Sequence, residues 1–115
     1  MMTIVTYEIT AEVRDDLVPT YEAYMRGTHV PDLLATGHFV AASFGRAAPG
    51  RYRVRYEARD AAALERYLAD HAPRLRAHFD AQFPAGVRLS RELWTVLELW
   101  ADDAGASAGR GRVVK

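Results

Sequence analysis

Histidine is the side chain through which this sequence would most readily move a proton near neutral pH, and it carries four: His29, His38, His71 and His78. His29 is the first candidate for acid–base catalysis. It stands two residues before Pro31, where the sequence predicts the end of a helix, since proline disfavours helical backbone just ahead of it. An imidazole at a helix C-terminus also meets the helix dipole favourably. A capping role therefore competes with catalysis there, and the sequence alone favours the cap. His38, together with His29 and Asp32, offers potential metal donors, but the spacing matches no metal motif. His71 and His78 lie two helical turns apart, about 10 Å by helical rise, too far to share one metal.

Charged residues form a second set. Glu8, Arg53, Arg55, Glu57 and Glu92 recur at alternating positions within runs that read as strands. In a pocket, the Arg55 guanidinium would hold a carboxylate or enolate bidentately. A network of ion pairs across an interface accounts for the same pattern, and the sequence favours it. Tyr24, Phe39, Tyr56 and Trp94 would line an apolar pocket or form ordinary core. The candidate site is thus His29 as the catalytic group, with Glu8, Tyr24, His38, Arg55, Glu92 and Trp94 as ligand-binding residues and no metal. Ser43 and Ser90 lack the strand–turn–helix context of an activated serine, and no glycine-rich phosphate loop is present.

Composition narrows the classes further. The chain has no cysteine, which removes disulfides, thiolate catalysis and cysteine-based zinc sites. Fifteen basic residues balance fifteen acidic ones, without the basic excess that displaces counterions from nucleic acid. No cofactor is expected; of these exclusions haem is the least constrained, because a single histidine can hold it. The N-terminus does not read as a signal peptide, and no apolar run approaches the roughly 20 residues of a membrane span. The expected location is the cytoplasm, with no membrane partner.

The elements that must position these residues follow from periodicity. Residues 3–13 alternate, with Val5, Tyr7, Ile9, Ala11 and Val13 on one face, which predicts a strand. A helix follows over about 16–28, with Asp16 as its N-cap and Pro19 in its first turn. Pro31 to Ala35 predicts one further helical turn, stopped by Gly37. Residues 38–46 and 51–58 predict a hairpin around Pro49-Gly50. A second helical region, 61–83, is capped by Asp60 and broken near Asp70, and a last strand covers 87–99. The first hundred residues make one domain; residues 101–115 have no pattern and are expected to be a disordered tail.

The order β-α-β-β-α-β is the ferredoxin-like arrangement of the α+β class. Right-handed crossovers place the third strand between the first two, and the first between the third and fourth. Two helical regions cover one face of a four-stranded antiparallel sheet, so one face stays open. Val5, Tyr7, Ile9, Val54, Tyr56 and Leu93 are expected under the helices. Ile4, Thr6, Glu8, Arg53, Arg55, Glu57, Glu92, Trp94 and Val96 are expected on the open face.

Three stretches resemble the dimeric α/β-barrel superfamily and, within it, a bacterial family of unknown function. They are residues 29–39 (HVPDLLATGHF), 52–57 (YRVRYE) and 67–76 (YLADHAPRLR). The resemblance spans about residues 3–99. It implies a homodimer with the open sheet faces together and pockets between sheet and helices. Functions in that superfamily range from cofactor-free monooxygenases to small-molecule binders, so membership does not name a reaction. The expected function is a homodimeric binding or accessory domain with a pocket for a small organic ligand. The alternative is a cofactor-independent enzyme of monooxygenase, isomerase or cyclase type, with His29 as acid/base.

Overall fold

The computed structural model describes residues 3–100; the expected tail at 101–115 lies outside them. Four strands, β1 (Val5–Val13), β2 (Phe39–Ala48), β3 (Arg51–Ala58) and β4 (Val87–Thr95), form one sheet in the order β2-β3-β1-β4. All neighbouring pairs are antiparallel. Both the β-α-β-β-α-β order and the crossover-derived strand order match the sequence reading.

Register assigns the faces. Tyr7 lies between Tyr56 and Leu93, Ile9 between Val54 and Arg91, and Ala11 between Tyr52 and Leu89. Directly opposed residues share a face, so these rows point toward the helices. The intervening rows, Thr6 with Glu57 and Trp94, and Glu8 with Arg55 and Glu92, point to the open face. Leu93 departs from expectation. It belongs to the helix-facing row yet is 55% exposed, because β4 is an edge strand and the helices leave its outer part uncovered.

The first helical region is longer and less regular than the sequence predicts. A 3₁₀ turn at Asp15–Leu17 leads into α1 (Val18–Tyr24), then a π-helical segment at Met25–His29, then α2 (Val30–Ala35). Asp16 does not cap a helix. Its carboxylate instead accepts from Arg14 Nε at 2.6 Å. The backbone does not leave the helix at His29 either, where φ is −68° and ψ is −52°. A π turn widens the helix just before Pro31, which reduces the conflict between the proline ring and the carbonyl one turn back. Gly37 then ends the region at φ 82°.

The second region follows the sequence closely. Asp60 Oδ1 accepts from Ala63 N at 2.9 Å and starts α3 (Ala61–Asp70). The chain breaks at His71, and α4 (Ala72–Gln82) begins with Pro73 in its first turn, where the missing N–H costs little. β4 stops at Thr95, short of the expected 99. The core is aromatic: Tyr7, Phe39, Tyr56 and Tyr67 form one cluster, and Tyr21, Tyr52, Phe79 and Phe83 another. Tyr56 is fully buried, and its hydroxyl has no hydrogen-bond partner among the described residues.

Candidate functional site

The candidate residues divide between two faces of the sheet and one end of the helical layer. Glu8, Arg55, Glu92 and Trp94 are on the open face. Arg55 Nε donates to Glu8 Oε2 at 3.0 Å, and Thr6 Oγ1 donates to the same oxygen at 3.4 Å. The two side chains thus pair with each other within the chain. Beside it runs a shallow groove of about 630 Å³ bordered by Ile4, Arg53, Glu57, Trp94 and Val96. Trp94 is 51% exposed. His38 lies elsewhere, with its ring 5.3 Å from that of His71. His71 Nδ1 is in turn 3.3 Å from Arg74 Nη2.

His29 is on the other side of the sheet, facing inward. The π segment turns its ring against Tyr24, stacked at 5.8 Å, and against the edge of Phe79 at 5.4 Å. Tyr24 is anchored from the surface by a 2.7 Å hydrogen bond between its hydroxyl and His78 Nδ1. The imidazole borders an internal cavity of about 30 Å³ between sheet and helices. That is room for about one water molecule.

Five polar residues outside the expected site share this cavity: Tyr7, Tyr21, Tyr67, Arg76 and Arg91. Arg76 Nη2 donates to the Tyr7 hydroxyl at 3.0 Å, while its buried Nε has no partner among the described residues. Arg91 comes from β4, opposite Ile9. A signal for both arginines was present. Arg76 is one turn after Ala72 and almost one before Phe79, on the apolar stripe of α4. Arg91 interrupts the inward row Val87, Leu89, Leu93 of β4. Arginine at an inward position is the observation that marks a site of this kind.

Burial pushes the His29 pKa down to about 4; nearby Asp32 opposes the shift, while His78 and Arg91 add to it. The ring is therefore neutral near physiological pH. Burial likewise pushes the Tyr67 phenol up, with Arg76, Arg91 and Arg74 pulling it back. Two guanidinium groups make the cavity wall cationic, and with the tyrosines and the neutral imidazole they supply polar groups to an otherwise apolar lining.

The His29 shift has a measurable consequence. Its pKa in the fold lies below the ordinary 6.5, so the unfolded chain binds that proton more readily. Its contribution to stability is complete above about pH 6.5 and is lost as pH falls toward about 4. Urea midpoints measured across this window should fall with pH, and His29→Gln should flatten that slope. An unchanged slope would show that His29 is not the buried titrating group.

No group of three or more histidine or acidic side chains suited to a metal occurs among the described residues. No described helix is long and apolar enough to cross a membrane.

A family model described as a domain of unknown function matches residues 4–97. No curated protein matches the sequence significantly. Solved structures share the fold. One is SnoaB, a cofactor-independent oxygenase from Streptomyces nogalater, at 19% identity and TM-score 0.67, covering 87% of this chain and 99% of that one. A protein of unknown function from Nitrosomonas europaea aligns at 16% identity and TM-score 0.65, covering 88% and 96%. A dimeric ferredoxin-like protein from an uncultured marine organism aligns at 15% identity and TM-score 0.61, covering 87% and 100%. Identities this low speak to the fold alone.

Proposed function

We propose, for a chain that belongs to this family of domains of unknown function (DUF4286), that it is a homodimeric small-molecule-binding domain whose ligand sits between sheet and helices, beside His29. The observation that carries this reading is the internal cavity itself. It gathers a neutral histidine, three tyrosines and two arginines from β1, α1, the π segment, α3, α4 and β4 into an otherwise apolar interior. Buried polar groups left without partners are costly, and a ligand would satisfy them. A thermal-shift screen of small organic acids and aromatic metabolites tests the reading. Hits should disappear in His29→Trp, which fills the cavity, and persist in Arg55→Ala on the opposite face. Hits lost only through Arg55→Ala would move the site to the open face.

The dimer reading rests on that open face. Trp94 borders an apolar and ion-paired surface with no helix over it, continued by Leu97 and Trp100, which are 91% and 83% exposed. An exposed patch of this kind marks an interaction surface, and one of the structural relatives is described as dimeric. Light scattering at micromolar concentration should return twice the chain mass, and Trp94→Glu should return a folded monomer. A monomer in the unmutated protein would overturn the dimer.

A second reading draws on His29 alone. A neutral imidazole in a nearly dry cavity can accept a proton from an acidic ligand, and the fold is shared with a cofactor-independent oxygenase. Oxygen uptake on adding a ligand from the screen, abolished by His29→Ala with the fold retained, would favour an enzyme.

A further inference from the structure

We propose that the ligand of the internal cavity is an amphipathic organic monoanion. Its acidic head lies between Arg76 and Arg91, and its apolar body runs outward along β4 over Leu93. This inference rests on the pocket reading above and adds the chemical class and the orientation of the ligand.

Charge supplies the first argument. Arg76 and Arg91 both border the cavity, and no acidic side chain does. Neither forms an ion pair among the described residues, where the pairs present involve Arg14, Arg26, Arg46, Arg55 and Arg88. The Nε of Arg76 is buried without an acceptor among the described residues. Tyr7 accepts from the same guanidinium but carries no charge. A cationic, partly dry wall without an internal counterion favours an anion. A planar carboxylate suits guanidinium geometry better than a spherical ion does.

Size and direction supply the second. About 30 Å³ admits a small polar head but not a whole metabolite. Arg91 and Leu93 occupy successive inward positions of the edge strand β4, and both are exposed. Leu93 is an apolar helix-facing residue that the described residues leave 55% exposed. An apolar chain leaving the cavity past Arg91 along the strand would next meet Leu93 and cover it.

Calorimetry on the full-length protein at low salt tests this with hexanoate, acetate, hexanamide and hexylamine. Hexanoate should bind at least about tenfold more tightly than hexanamide, because charge-assisted hydrogen bonds are lost with the neutral head. It should exceed acetate by about tenfold or more through its additional methylenes. Arg91→Gln should weaken hexanoate at least about tenfold and leave hexanamide unchanged. Arg91 is exposed, so this variant remains informative even where Arg76→Gln, at a more buried position, fails to fold. Equal affinity for hexanamide, or tighter binding of hexylamine, would overturn the anionic class while leaving the pocket intact. Acetate binding as tightly as hexanoate would overturn the orientation over Leu93. If none of the four binds but the broader screen gives hits lost in His29→Trp, the ligand class alone fails. If neither experiment gives binding, the pocket reading fails with it.

Discussion

Phe79→Ala should cost the domain about 3–5 kcal/mol, the range for removing a large aromatic side chain from a packed core, and should raise the pKa of His29 from about 4 back toward 6.5. Phe79 is 6% exposed and packs the second helical region against the first. Its ring lies 6.3 Å from Tyr21, 6.0 Å from Tyr24, 5.4 Å from His29 and 5.2 Å from Phe83. Small domains hold about 5–15 kcal/mol in total, so this one change removes a large share. The enlarged cavity would also admit water to the imidazole, and desolvation is the main cause of the depressed pKa. Urea denaturation measures the first effect, and titration of the His29 ring protons by NMR measures the second. A stability loss without movement of the His29 pKa would show that Phe79 packs the core but does not keep the cavity dry.

Gly50→Ala is the second large effect expected. Gly50 sits in the β2–β3 turn with φ at 78°, and a Cβ there would lie 2.8 Å from the Val13 carbonyl oxygen. The same two residues are joined by a 2.7 Å hydrogen bond from Val13 N to Gly50 O, so the turn cannot relax without releasing the end of β1. The backbone conformation alone costs about 1–3 kcal/mol for a residue other than glycine, and the clash with fixed backbone adds to it. Gly86→Ala is the control. Its φ of 88° is similar, but the close atom is Leu17 Cδ1 at 2.5 Å, the end of a side chain that can rotate away. Chemical denaturation should therefore show Gly50→Ala as the more damaging of the two. Equal losses would mean that φ accounts for both and that the contact with Val13 is relieved at little cost.

Much of this molecule is legible in its sequence because it depends on local patterns. Alternation over Val5–Val13 and Arg51–Ala58 specifies strands that can present apolar residues to only one side. Asp60 and Pro73 mark helix starts by donors they accept or lack, and both act as expected. The pairing of Glu8 with Arg55 follows once crossover handedness sets β1 beside β3. The helix end expected at His29 failed because the preference before proline is only local. A π turn absorbed the conflict, and tertiary packing on Tyr24 and Phe79 held the ring inward.

The site itself was decided by three-dimensional packing. Residue type groups His29 with Arg55, Glu8, Glu92 and Trp94, but a sheet separates them, since successive strand residues point to opposite faces. The polar partners that the fold gives His29 are Tyr7, Tyr21, Tyr67, Arg76 and Arg91, drawn from five elements up to 62 positions away in the chain. Arg76 and Arg91 sit on otherwise apolar stripes. That placement marks each as unusual along the chain but does not say that the two meet. What brings them together is how the layers close: α4 lays Arg76 over the sheet, and register brings Arg91 opposite Ile9. The sequence determined which elements form and which faces are apolar, because those depend on spacing along the backbone. The composition of the cavity depends on which element covers which, and only the packed structure decides that.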